Sequence, residues 1–321
     1  MRVKFSLLLI MTWYRVEIIR IYLCVFLAIA FFTLFERKAL ARFHLRKGPN
    51  KVGFGGLPQP LADALKLFTK ELPVPHAGAK WLFYACPGLA LLIILTLWWI
   101  YPVGYTVREG YMGVLFFLCV SSLNAYVLIF AGWSSNSKYA GLGSIRAFAQ
   151  TISYEIRISL ILLFIVLLHG RFSLLLIQKR GIIFWYGLIW WPVTLRWLIS
   201  CLAETNRTPF DFVEAESELV SGFNVEYGGG GFAVLFIAEY GNIIFIRFFT
   251  VRVFFGGYFS FRFLIRQIRF LLKTMLVCYW FIWVRASFPR LRYDMLIELM
   301  WKRILPGCLI RWIGLMLYMI I

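Results

Sequence analysis

Acidic side chains are scarce in this chain: 15 Asp and Glu stand against 34 Lys and Arg over 321 residues, a formal net charge of +19. Histidine is rarer still, at three, and His44, His76 and His169 lie far apart in the sequence. The six cysteines, Cys24, Cys86, Cys119, Cys201, Cys278 and Cys308, are scattered in or beside apolar runs without a C-x-x-C pair. An iron–sulfur cluster or a zinc site gathers several thiolates or imidazoles at close spacing, so neither is expected here. No Walker A sequence or Rossmann fingerprint occurs, and Gly228–Gly231 is a plain glycine run rather than a phosphate loop. Basic excess alone argues for contact with anionic headgroups and for membrane topology, not for nucleic acid.

What the chain has in abundance is apolar surface. Apolar residues make up 61% and aromatics 19%, and the mean hydropathy is +0.78; soluble domains sit near 45–50% apolar. Repeated apolar stretches of about 20 residues read as transmembrane helices. The sequence predicts an all-α polytopic membrane protein, one membrane domain over residues 1–321, with eight spans. They are Ile18–Phe35, Trp81–Tyr101, Tyr111–Trp133, Ile152–His169, Ile182–Leu202, Phe232–Phe255, Phe263–Val284 and Ile304–Ile321. Arg266, Arg269 and Lys273 intrude on the seventh and either snorkel or face the bundle. Ala147–Gln150 could extend the fourth.

Charge orients these spans. The segment after the first carries Arg37, Lys38, Arg42, Arg46, Lys47, Lys51, Lys66, Lys70 and Lys80, and the segment after the seventh carries Arg285, Arg290, Arg292, Lys302 and Arg303. Loops on the opposite side are poorer, with Arg108 in one and Arg171, Lys179 and Arg180 in another. The positive-inside rule then puts the rich side in the cytoplasm or matrix and both termini on the other side. Between Pro60 and Leu72, apolar Leu61, Ala64, Leu65, Phe68 and Leu72 fall on one helical face, opposite Asp63, Lys66 and Lys70. About a dozen residues reach roughly 18 Å, too short to span a ~30 Å core. The segment 60–72 is therefore expected to lie in the interface as an amphipathic helix.

The acidic residues are concentrated. Glu204, Asp211, Glu214, Glu216, Glu218 and Glu226 fall between Ala203 and Gly231, opposed only by Arg207. If residues 211–218 are helical, Glu214 and Glu218 share a face; if extended, Glu214, Glu216 and Glu218 do. Either arrangement crowds like charges among Phe210, Phe212, Val213, Leu219, Val220 and Phe223, so at least one carboxyl is expected to hold its proton near neutrality. Glu155 and Glu239 lie in or close to apolar spans. An unpaired carboxylate facing lipid is costly, so both should face the bundle interior, with Arg157 and Arg196 as available ion-pair partners.

Four stretches carry a family resemblance: ERKALARFHLRKGPNKVG at Glu36–Gly53, LPQPLADALKLFTKE at Leu57–Glu71, AETNRTPFDFVEAESELVSGFNVEYGGG at Ala203–Gly230, and RASFPRLRYDMLIELMWKRILP at Arg285–Pro306. In order and content they resemble subunit 1 of respiratory complex I, NADH:ubiquinone oxidoreductase. The first motif alone is also similar to subunits of membrane-bound hydrogenases. Ser221–Tyr227, SGFNVEY, resembles mitochondrial members more than bacterial ones, and Met1–Ile10 resembles neither a transit peptide nor a cleavable signal. Departures from the family include His44, where many relatives carry Gln, Gly230, where Pro is common, and Arg157.

The resemblance implies a core membrane subunit of a proton-translocating enzyme in the mitochondrial inner membrane, or else the bacterial plasma membrane. It implies ubiquinone as substrate, with no metal, iron–sulfur or NADH site in this chain. Expected partners are the quinone-site subunits of the peripheral arm, small neighbouring membrane subunits and the bilayer. It places Glu36, Arg37, Arg46, Asp63, Asp211, Phe232 and Phe236 at a quinone chamber. It assigns Glu155, Glu204, Glu214, Glu216, Glu218 and Glu239 to a proton-coupling carboxylate file. Two other readings compete: the quinone- and proton-coupling subunit of a hydrogenase-type complex, and a stand-alone proton-coupled transporter. The latter favours internal repeats, which this sequence lacks.

Overall fold

The computed structural model of the chain describes residues 2–75, 78–101, 112–181, 185–211, 221–257 and 263–320, with side chains between 16 and 317 except at 263–266. Among these residues there is helix and no strand, as expected where every backbone N–H and C=O must be satisfied without water. The helices are α1 (Arg2–Phe43), α2 (Gln59–Thr69), α3 (Lys80–Leu97), α4 (Gly113–Ser134), α5 (Lys138–His169), α6 (Leu174–Arg180), α7 (Tyr186–Ile189), α8 (Trp191–Glu204), α9 (Gly229–Phe254), α10 (Phe263–Ser287), α11 (Tyr293–Glu298) and α12 (Leu305–Ile320). A π-helical turn, Leu299–Ile304, joins the last two.

Six helical stretches are long and apolar enough to cross a membrane: Val16–Phe43, Lys80–Ile100, Gly113–Ser134, Lys138–His169, Gly229–Phe254 and Gln267–Ser287. They match six of the eight predicted spans. The fifth predicted span differs, because the helix is interrupted at Trp190 (φ −103°, ψ 43°). Pro192 explains the break: its ring occupies the place of an amide donor and crowds the carbonyl one turn earlier. Thr194 bridges the interruption, its hydroxyl donating to Gly187 O at 3.2 Å. The eighth predicted span is the 16-residue helix α12. The fourth is longer than expected, beginning at Lys138 after Asn136, whose φ is +50°.

Helix α9 is the centre. It packs on α1, α2, α3, α6 and α10, and 67% of its apolar window is buried, against 22% for α1. That contrast separates an interior helix from a peripheral one with a lipid-facing flank, where Leu23, Leu27 and Phe31 are exposed. Close helix contact depends on small residues. A Cβ on Gly132 of α4 would sit 2.3 Å from Ser144 Cβ on α5, so glycine permits this crossing. Carbonyls and amides meet one charge inside the bundle: fully buried Arg252 donates from Nη1 to Ile100 O at 2.9 Å and from Nε to Gln178 Oε1 at 3.1 Å. Lys273 turns inward too, donating to Phe255 O at 2.7 Å and lying over the Trp185 ring, while Arg269 is exposed.

Candidate functional site

The inner end of α1 presents Glu36, only 5% exposed. An isolated carboxylate there would be prohibitive, and arginines from three other parts of the chain answer it. Arg285 at the end of α10 donates from Nη1 to Glu36 Oε1, and Arg207, in the loop after α8, approaches the same oxygen at 3.7 Å. Arg247 of α9 lies within electrostatic range, its guanidinium sandwiched between Phe32 at 4.5 Å and Phe281 at 4.8 Å. One carboxylate thus collects three guanidinium groups. Tyr240 completes the cluster, its ring beneath Arg207 at 4.5 Å.

Tyr240 also ends an aromatic ladder. Phe232, Phe236 and Tyr240 recur every fourth residue on α9 and so share a face. Their ring centroids are 5.4 Å apart for the first pair and 4.8 Å for the second. Phe32 of α1 flanks the ladder's end, 5.9 Å from Tyr240. The ladder begins beside α2, since Phe68 lies close to Gly230. Helix α2 buries Pro60 but exposes Leu61, Leu65 and Phe68. Arg37, one residue past Glu36, donates to Asp63 Oδ2 of α2 at 2.7 Å, and Gln59 donates to Asp63 Oδ1 at 2.9 Å. That pair is half exposed and pins α2 to α1.

The sequence-predicted residues therefore divide. Glu36 lies in the arginine cluster, Arg37 and Asp63 join each other, and Phe232 and Phe236 form the ladder. Asp211 is held separately: Arg290 donates from Nη2 to its carbonyl and stands 3.9 Å from Oδ1. Arg46 is exposed in the turn after α1, and no side-chain contact ties it to the cluster among the described residues. Glu214, Glu216 and Glu218 lie outside the described residues.

The remaining carboxylates meet through cavities. Glu204, the last residue of α8, lines two of them. One, of about 240 Å³, is shared with Glu155, Ser121 and Ser159. The other, of about 30 Å³, is shared with Glu239, Asn124, Asn206 and Asn242. Glu204 Oε2 is buried without a hydrogen-bond partner. A polar cavity of the smaller size admits about one water. Neither Arg157 nor Arg196 serves as the expected ion-pair partner here. Arg157 stacks on Tyr154 at 4.9 Å and donates to Ser153 O at 2.8 Å, while Arg196 donates to Gly307 O at 2.9 Å.

The far end of the acidic loop is anchored. The Tyr227 ring stacks on Phe83 at 4.2 Å, and its hydroxyl donates to Phe83 O at 3.3 Å. Burial pushes this phenol above its ordinary range, so it stays a neutral donor. Gln150 of α5 holds the near end, donating to the carbonyls of Ala203 at 3.3 Å and Phe210 at 3.0 Å.

Sequence reasoning passed over Tyr240, Arg247 and Arg285 as members of the site. Tyr240 was legible as the third step of the i, i+4 series begun by Phe232 and Phe236. Arg247 carried a signal as well, a cation within an otherwise apolar stretch of α9. Nothing local joins Arg285 to Glu36, 249 positions away.

Residues 16–316 match the family model described as NADH dehydrogenase. Among similar proteins, NADH-ubiquinone oxidoreductase chain 1 of Heterololigo bleekeri is 52% identical over 286 residues, covering 89% of this chain and 91% of its own length. The protein of the same name from Locusta migratoria is 48% identical, with 88% of each chain covered. That from Emballonura alecto is 48% identical, with 91% of this chain and 92% of its own covered. Among the described residues, no three His, Cys, Asp or Glu side chains converge as a metal site would require.

Proposed function

This chain belongs to the NADH dehydrogenase family as a core membrane subunit of NADH:ubiquinone oxidoreductase, and from that premise we propose that it guides ubiquinone to its reduction site and turns the reduction into proton movement. Family membership sets aside the stand-alone transporter. The protein is a multi-pass component of the mitochondrial inner membrane, with α8 and α12 added to the six long helices to make eight crossings. Helix α2 lies in the interface, its exposed Leu61, Leu65 and Phe68 in contact with acyl chains. The basic segments and the acidic loop face the matrix, where the subunits that carry electrons dock.

The observation that carries the reading is the adjacency of Glu239 and Tyr240 on α9. Tyr240 closes the aromatic ladder against the Glu36 cluster. Its chain neighbour Glu239 lines the cavity of Glu204. One helix thus carries the wall of an apolar slot and the first step of a carboxylate path. Quinone needs such a slot for its isoprenoid tail and a few polar groups for its head. Phe232, Phe236 and Tyr240 supply the slot, with Asp63 and Arg37 on its α2 side; the family resemblance adds Arg46 and Asp211 to its border. The Glu36–Arg207–Arg285 cluster supplies the polar groups.

Coupling follows electrostatically. Reduction of a quinone to a quinol takes up two electrons and two protons, and no group in this chain carries electrons over distance. Protons drawn to the reduced head leave charge behind on neighbouring carboxyls, among them Glu214, Glu216 and Glu218 of the acidic loop. Two charges ~6 Å apart at an effective dielectric near 20 interact by roughly 3 kcal/mol, about two pKa units. A step of that size switches the protonation of the next carboxyl. Glu239, Glu204 and Glu155 transmit it, Glu204 being the member that touches both cavities.

Crosslinking a quinone-site inhibitor in the intact complex tests the chamber. The labelled peptide should fall within 229–240 or 31–63. Label confined to other subunits would overturn the assignment.

A further inference from the structure

Away from the chamber, three arginines gather around Cys308 on α12. Arg196 of α8 lies on the backbone of α12, donating to Gly307 O at 2.9 Å. It fits because residue 307 has no side chain: a Cβ there would stand 2.3 Å from Arg196 Nη2. Arg311, one turn further along α12, and Arg157 on α5 share the electrostatic neighbourhood of Cys308 with Arg196. Helix α5 packs against both α8 and α12, so the three cations stand on mutually contacting helices around Cys308. Arg157 is 1% exposed, and its Nη1 and Nη2 have no acceptor; neither does Nη1 of Arg311. No carboxylate pairs with any of the three among the described residues.

Like charges are rarely packed together in an apolar slab without a counter-ion. The occupant this cluster lacks is an anion with several acceptor oxygens, and guanidinium groups match a phosphate fork to fork. Depth and surroundings point to where it comes from. Arg196 stands eight residues before the matrix end of α8, roughly 12 Å along the axis. Helix α8 is short beyond its break at Trp190, 14 residues, or roughly 21 Å. Against a ~30 Å hydrocarbon core, a short helix is accommodated by local thinning of the bilayer, which draws headgroups inward. Leu195, Ile310 and Ile313 beside the arginines are exposed, a surface suited to acyl chains.

We propose that Arg196 and Arg311, backed by Arg157, clamp the phosphate of an anionic phospholipid at a thinned patch of bilayer beside α8 and α12. The clamp rests on the membrane-spanning reading of these helices and not on the quinone chamber.

The test uses the intact complex in mixed micelles with phosphatidylglycerol bearing a photoactivatable acyl chain. Label should map to residues 191–204 and 305–317. It should fall about tenfold in an R196Q/R311Q double variant and return in R196K/R311K, which restores the charge. A phosphatidylcholine analogue should label these peptides weakly. Equal labelling by both lipids, or unchanged labelling in R196Q/R311Q, would overturn the clamp. So would displacement of the lipid by millimolar inorganic phosphate, which would make the ligand a free anion, or a crosslink from a neighbouring subunit in place of lipid. Inhibitor crosslinking to α9 in the same double variant separates this outcome from failure of the chamber reading.

Discussion

Glu155 and Glu204 face each other across one cavity, although they come from different helices and stand 49 positions apart in the sequence. The cavity, of about 240 Å³, is lined otherwise by Leu118, Ser121, Ile156, Ile158 and Ser159. Two carboxyls in a mainly apolar enclosure without a cation cannot both ionise cheaply. The coupling path proposed above runs through this pair, with Glu239 lining the cavity on the other side of Glu204.

Glu204→Gln tests this directly. The amide keeps shape and hydrogen bonding but cannot titrate. The complex should assemble and pass electrons from NADH to a soluble artificial acceptor at the normal rate. Quinone-linked turnover and pumping should drop by about tenfold or more, the effect of ~1.4 kcal/mol on a barrier. Glu155→Gln and Glu239→Gln should behave alike. An assembled Glu204→Gln complex with unchanged rate and proton-to-electron ratio would remove that residue from the path.

At the ladder, Phe236→Trp should narrow the slot between Phe232 and Tyr240. Steady-state assays should show a severalfold rise in the apparent KM for ubiquinone while artificial-acceptor activity stays normal. Equal loss of both activities would indicate failed assembly instead.

The two ion pairs at the end of α1 should differ in their contribution to stability. Glu36 is buried among Arg207, Arg285 and Arg247, so Glu36→Gln leaves buried cations uncompensated at a cost of roughly 3 kcal/mol. Arg37 and Asp63 have side chains 55% and 38% exposed, and Arg37→Gln should cost less than about 1 kcal/mol. Thermal unfolding of the detergent-solubilised complex should rank them in that order. The reverse order would contradict the buried cluster.

Gly132→Val probes the α4–α5 crossing. A side chain there meets Ser144 and, at 2.7 Å, the backbone oxygen of Ala140. Since the oxygen cannot move without the helix, destabilisation of roughly 1–3 kcal/mol is expected. A wild-type melting profile would show that the helices do not meet at this point.

Topology can be read by thiol labelling. Lys51 and Arg171 are both exposed, in segments assigned to opposite sides. A cysteine at 51 should react with an impermeant reagent added from the matrix side, and one at 171 only from the other. Reaction of both from one side would refute the orientation and the docking of an electron-carrying arm.

Sequence alone determined what depends on local order. Apolar runs above helix-spanning length, the prolines bounding α2 and the four-residue aromatic spacing of Phe232 and Phe236 are all statements about near neighbours. Backbone sterics and desolvation act on them wherever the chain lies. Only tertiary structure decided which charges meet. Arg196 stands within reach of glutamates in the sequence, yet it turns to Gly307 of α12, whereas Arg285 and Arg207 come from distant parts of the chain to reach Glu36. Packing makes these choices: a buried charge takes whatever counter-charge or carbonyl the neighbouring helices present, and which helices are neighbours is settled by where small residues such as Gly132 let helices approach.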